Sequence, residues 1–162
     1  MDIKLEKVTS EEKAILYNLL QFALYDMSQY VDIDLNESGF FDYDWFENYF
    51  IDDDRDAYLI KSNNQLVGFV MVNENLKIYS NGKSIAEFLI LPSYRRKQIG
   101  KQVAMTIFNK YIGNWEVEPI ENSVKAYKFW ENTIKDYTKD NYEIKDNKIF
   151  IFNNKKMIIW KK

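Results

Sequence analysis

The chain contains no cysteine and no histidine. The first absence excludes disulfides, thiolate metal sites and a cysteine nucleophile. The second removes the usual general base and the commonest zinc ligand, so proton transfer falls to Glu, Asp, Tyr, Lys or water, and no metal is expected. Glycine and proline are scarce, at 5 and 2 of 162 residues, and no linker, repeat or low-complexity tract interrupts the chain. One domain over residues 1–162 is therefore expected, with 46% hydrophobic residues, including many aromatics, to build its core. The net charge of -3 offers no basic field, which argues against nucleic acid or an anionic membrane as partner. The longest apolar stretch, Ala14 to Tyr25, is broken by Asn18 and Gln21, and Met1 to Glu6 lacks the basic and apolar regions of a signal peptide. A soluble cytoplasmic protein is expected.

Ile3, Leu5 and Val8 predict a first strand. Thr9 or Ser10 then caps an amphipathic helix whose apolar residues Ile15, Leu16, Leu19, Leu20, Ala23 and Leu24 recur at helical spacing. Ala57 to Ser62 and Leu66 to Val72 read as strands of a hairpin turning at Asn63-Asn64-Gln65, and Ser84 to Leu91 as a third strand stopped by Pro92. Val103, Ala104, Ile107, Phe108 and Tyr111 share one face of a second helix. A short strand at Trp115 to Val117, a helix from about Ser123 to Tyr137, and β-like pieces at Tyr142 to Ile144, Lys148 to Phe152 and Met157 to Trp160 follow. The order β-α-βββ-α-β-α-ββ is an α+β pattern with a mixed central sheet flanked by helices.

The segment Phe88 to Lys101 runs from a β-rich strand through the basic turn Tyr94-Arg95-Arg96-Lys97-Gln98 directly into a helix beginning Ile99-Gly100-Lys101. Free N–H groups at a helix start, the helix dipole and three cations together suit a pyrophosphate, and each charge-assisted hydrogen bond contributes roughly 1.5 to 3 kcal/mol. Taken by itself, this is also what a solvated basic helix start looks like.

At these residues the chain resembles the GNAT N-acetyltransferase superfamily, whose signature is Arg or Gln, two residues, Gly, one residue, then Gly or Ala. Arg95, Gln98 and Gly100 occupy those positions, with Gln98 standing where the first glycine is usual. The order of elements matches the family over nearly the whole chain, and Asn122 to Trp130 looks like the family's helix along the pantetheine arm. The resemblance implies the GNAT fold and acetyl-CoA as cosubstrate. It places Leu89, Ile90, Leu91, Arg95, Arg96, Lys97, Gln98, Ile99, Gly100, Lys101, Asn122, Phe129 and Trp130 at the cofactor. It also implies direct attack of an amine on the thioester, with a strand N–H near Leu89 to Leu91 stabilising the oxygen. Trp130 stands where many relatives carry a tyrosine that protonates the leaving thiolate, and an indole cannot do this. Asn122 either bonds the pantetheine or caps its helix.

An alkyl amine with a pKa near 10.4 is almost all protonated at neutral pH, and freeing it costs roughly 4.6 kcal/mol at pH 7, so a base is needed. Glu87, on the strand leading to the acetyl site, is the first candidate, and Tyr127 is the candidate acid. For the acceptor, the stretch from Asp26 to Asp56 holds eleven acids against the single base Arg55, interleaved with aromatics from Tyr30 to Phe50. Such a wall suits a cationic small-molecule or peptide amine, through charge and cation–π attraction. An acyl-CoA-binding module with weak or no catalysis is the alternative. A third reading makes Phe40 to Phe50 a partner surface, for instance in a homodimer.

Overall fold

The computed structural model describes residues 1–158. They form two compact units: Met1–Asn73 with Ala86–Arg95, and Glu74–Ile85 with the residues from Arg96 onward.

In the first unit, strand β1 (Ile3–Lys7) leads into a 3-10 turn, Ser10–Glu12, and helix α1 (Lys13–Met27). The Glu12 carboxylate accepts the Thr9 N–H at 3.1 Å and the Thr9 hydroxyl at 2.9 Å, so the turn is fixed by both ends of one short segment. Strands β2 (Asp56–Ser62) and β3 (Gln65–Asn73) form an antiparallel pair, and β1 pairs antiparallel with β2. Asn63 and Asn64 both take positive φ, 50° and 66°, which is the primed turn that matches strand twist. Leu16, Leu19, Leu20 and Leu24 of α1 pack with Leu59, Phe69, Met71 and Leu89 in one core cluster. Burying each such side chain contributes about 1.5–3 kcal/mol. Ile15, placed on the apolar face by its spacing, is 40% exposed.

Strand β4 (Lys83–Ile90) begins in the second unit and ends in the first; the strand order is β1-β2-β3-β4 in the first unit and β4-β5-β7-β6 in the second. In the second unit β4 pairs parallel with β5 (Asn114–Val117) through Lys83↔Trp115 and Ser84↔Glu116. β5 and β6 (Glu143–Lys145) each pair antiparallel with β7 (Ile149–Asn153). The sheet is therefore mixed, as the element order implies. Helices α2 (Ile99–Lys110) and α3 (Val124–Thr138) join Trp115, Phe150 and Phe152 in an aromatic core in which Phe108 lies 5.0 Å from both Trp115 and Phe152, ring centre to ring centre. Beside it, the buried Glu116 carboxylate accepts the backbone N–H groups of Lys77, Ile78 and Tyr79 at 2.7–2.8 Å and so orders the turn before β4.

The β-like reading of Met157 to Trp160 is corrected in part. Met157 and Ile158 belong to a single helical turn, α4 (Lys155–Ile158), because the Asn153 side chain accepts the Lys155 N–H at 3.0 Å and starts a turn; Ile159 and Trp160 lie outside the described residues.

Asn154, just before that turn, is fully buried. Its Nδ2 donates to the Phe108 carbonyl at 2.7 Å, and its Oδ1 accepts the Gly113 N–H at 2.7 Å. It thereby satisfies an end carbonyl of α2, which has no partner in its own helix. Asn154→Ala is expected to lower unfolding free energy by about 3 kcal/mol, since the Phe108 carbonyl and the Gly113 N–H each lose a partner. A urea melt showing less than about 1 kcal/mol would contradict that role.

Candidate active site

Glu87 sits in the part of β4 that belongs to the first unit, partly buried, and loss of hydration raises its pKa from 4.5 to about 7. A hydrogen bond from Tyr43 opposes that rise. The Tyr43 phenol is itself held far above its ordinary range, chiefly by burial and then by the Glu87 charge. Tyr43 also contacts Tyr49, whose hydroxyl accepts from the buried Asn73 amide at 3.2 Å. The Arg55 guanidinium lies 5.5 Å from the Tyr49 ring and 5.8 Å from the Trp45 ring, with Asp52 and Asp54 oxygens 3.8 and 3.9 Å from its Nε. A carboxylate that titrates near neutrality is suited to accept a proton at physiological pH.

The strand end beyond Glu87 is fixed closely. Gly68 of β3 faces it so tightly that a Cβ there would lie 1.9 Å from the Leu89 carbonyl oxygen. The Leu91 N–H donates to the Val67 carbonyl at 2.8 Å and is thus committed. N–H groups alternate between the two edges of a strand, so that of Ile90 points to the edge of β4 away from β3. Leu91 enters a 3-10 turn, Pro92–Tyr94, and Arg95 folds back so that its Nε donates to the Ile90 carbonyl at 2.8 Å. The four N–H bonds on the two Nη atoms of Arg95 are not used by that contact.

In the second unit, Arg96 and Gln98 both have positive φ, 60° and 63°, and Gln98 is the N-cap of α2. A left-handed residue followed by a right-handed helix turns successive N–H groups toward one concavity, which favours an anion. Gln98 thus keeps the backbone conformation for which glycine is usual, at a cost of roughly 1–2 kcal/mol. Arg96, Lys97 and Gln98 are exposed, while the Ile99 side chain is buried and offers the loop only its backbone. The Lys101 ammonium is paired with Asp136 of α3. At the start of α3 the capping role belongs to Ser123, whose Oγ accepts the Ala126 N–H at 3.1 Å, and Asn122 precedes it in a left-handed conformation. Trp130 is buried, 6.5 Å from Phe108 and 4.9 Å from Phe129 between ring centres. The Tyr127 ring lies 5.1 Å from Phe150, and partial burial raises its phenol pKa.

In the acidic segment, Phe41 and Tyr49 are buried, and Phe46 packs edge-on to Tyr17 and Phe50 at 5.4 and 5.5 Å. The acids Asp32, Asp34, Glu37, Asp42 and Asp44 are exposed, as are Phe40 and Trp45. The aromatics thus divide between core and surface, and the charge is mostly on the surface. Composition alone identified the segment, but no local pattern marks Tyr43 as the partner of Glu87, because the two meet only through tertiary folding. Among the described residues, no group of three or more acidic side chains is placed to hold a metal ion, and no helix is long and apolar enough to cross a membrane.

The sequence model of the GNAT acetyltransferase family matches residues 16–143, and the chain belongs to that family. It is an acetyltransferase, and acetyl-CoA is the acyl donor of the family. No curated protein matches it in sequence. Solved structures share its fold at low identity. An acetyltransferase from Thermus thermophilus has a TM-score of 0.68 at 12% identity, covering 94% of this chain and 97% of its own. A GNAT acetyltransferase from Staphylococcus aureus has a TM-score of 0.59 at 15% identity, covering 95% of this chain and 100% of its own. An aminoglycoside acetyltransferase solved with coenzyme A has a TM-score of 0.63 at 13% identity, covering 99% of this chain and 100% of its own.

Proposed function

We propose that the protein transfers the acetyl group of acetyl-CoA directly to the primary amine of a cationic small molecule or peptide, with Glu87 as general base. The observation that carries this reading is Glu87 itself, a partly buried strand carboxylate whose proton leaves near pH 7. Glu87 takes a proton from the ammonium, directly or through water. The freed nitrogen forms a bond to the acetyl carbon, the carbon–sulfur bond breaks, and amide and thiol leave. The N–H of Ile90 is the backbone donor suited to the thioester oxygen, since that of Leu91 is engaged.

The backbone of Arg96 to Gly100 and the charges of Arg96 and Lys97 suit the donor's pyrophosphate. We assign Arg95 a role at the donor through its Nη atoms, and assign Lys101 and Trp130, which contact Asp136 and Phe108, chiefly structural ones. Tyr127 remains the candidate to protonate the thiolate, since a phenol holds its proton at neutral pH.

The exposed acids between Asp32 and Asp44 favour a cationic acceptor. An aminoglycoside, the kind of acceptor named for one relative of this fold, and a polyamine both fit that chemistry. Polycationic amines are expected to turn over with kcat/KM at least about tenfold above a neutral-bodied monoamine at low salt, an advantage that shrinks as salt rises. Equal turnover of both classes at every ionic strength would remove the case for a cationic acceptor.

A further inference from the structure

Glu87 is the proposed base, and what fixes its carboxylate lies outside β4. Tyr43 belongs to the segment after α1, and that segment is tied down on both sides of it. The Gln21 side chain of α1 donates to the Phe41 carbonyl at 2.9 Å and accepts the Phe41 N–H at 2.8 Å. Asn36 Oδ1 accepts the Ser38 and Phe40 N–H groups at 2.9 and 3.1 Å, and its Nδ2 donates to Asp42 at 2.9 Å. After Tyr43, the short helical turn Glu47–Phe50 buries Tyr49 against Asn73. Tyr43 is therefore delivered to Glu87 by a backbone with little freedom, and its hydroxyl is the side-chain partner of that carboxylate.

We propose that Tyr43 is a positioning residue of the acetyl-transfer reaction: its hydroxyl, held by Tyr49, which Asn73 holds in turn, fixes the Glu87 carboxylate in the orientation that accepts the acceptor's proton. The inference rests on Glu87 acting as base. It makes the acceptor-side segment part of the catalytic apparatus rather than only a recognition surface. A carboxylate on a strand has two rotatable bonds before its terminal torsion, and holding it in one orientation is what converts proximity into rate. The polar and charged groups in this chain of contacts are Tyr43 on Glu87, Tyr49 on Tyr43, and Arg55 beside Tyr49 with Asp52 and Asp54 around it.

The test is the pH dependence of kcat/KM for acetyl transfer by the whole chain, with acetyl-CoA and a polyamine, in wild type, Tyr43→Phe, Tyr43→3-fluorotyrosine and Glu87→Gln. The Tyr43 bond favours the ionised carboxylate, so losing it raises the Glu87 pKa. Tyr43→Phe is therefore expected to move the acid limb to higher pH and to lower kcat/KM at its plateau by about tenfold. The fluorinated tyrosine, a stronger donor of nearly the same shape, moves the limb the other way and preserves the fold even if Tyr43→Phe does not. If both variants keep the wild-type limb while Glu87→Gln loses it, Glu87 is the base and the role given to Tyr43 is overturned. If Glu87→Gln keeps the limb, the base assignment falls and this inference with it.

Discussion

Glu87→Gln lowers kcat/KM for amine acetylation by at least about 10²-fold at neutral pH, the usual contribution of a positioned general base. It also abolishes the acid limb near pH 7, because no titrating carboxylate is left at that position. Glutamine preserves shape and hydrogen-bonding capacity, so a loss confined to rate separates proton transfer from packing. Stability supplies an independent check. The folded pKa of about 7 lies above the ordinary 4.5, so the folded state holds its proton where the unfolded state has released it. Wild type therefore loses stability relative to Glu87→Gln as pH rises from about 4.5 to about 7, with the difference levelling above that range. Thermal midpoints of the two proteins that stay parallel from pH 4 to pH 9 would contradict the burial given to Glu87.

The second large effect is predicted for Gly68→Ala. The added methyl meets backbone on β4, at 1.9 Å from the Leu89 oxygen and 3.2 Å from the Ile90 Cα, and neither can swing aside as a side chain would. β3 and β4 must separate, which strains the Leu91 to Val67 hydrogen bond and displaces the strand end next to Glu87. A cost of about 3 kcal/mol or more is expected, a large share of the 5–15 kcal/mol that holds a typical domain together. Folded Gly68→Ala with a wild-type urea midpoint would show that the two strands are not packed as described. Any soluble fraction should also lose activity, since a displacement of about 1 Å at a reacting group costs as much as 10²-fold.

The local elements were legible because their causes are local. The Thr9 to Glu12 start of the first helix, the Asn63-Asn64 turn and the helical spacing of Leu16, Leu19, Leu20 and Leu24 each lie within a few residues of one another. The mixed order of elements was legible for the same reason, and the family follows from it together with Arg95, Gln98 and Gly100. Glu87 was singled out by its place on the strand, but its proton affinity depends on burial and on Tyr43, neither of which a strand pattern encodes. Gln98 could be read only as a departure from glycine, whereas its φ of 63° shows that the left-handed turn survives the substitution. Lys101 reads as one of a run of cations, and nothing local marks its pairing with Asp136, which folding brings to it. Asn154 carried no signal at all, because its four partners are gathered from α2, α3 and the turn before β5.

An acetyltransferase with Glu87 as its base differs from a mere binder of the donor in what it does to an added amine. The difference is measured by following thiol release from acetyl-CoA and the mass of a polyamine acceptor in the same reaction, across pH, for wild type and Glu87→Gln. Amine-dependent thiol release is expected, with one acetyl group gained by the amine per thiol freed, rising with pH through an acid limb near 7 that Glu87→Gln lacks. Coenzyme A that raises the thermal midpoint, with no amine-dependent thiol release from any acceptor in the panel, would contradict it and leave an acyl-CoA-binding module in its place.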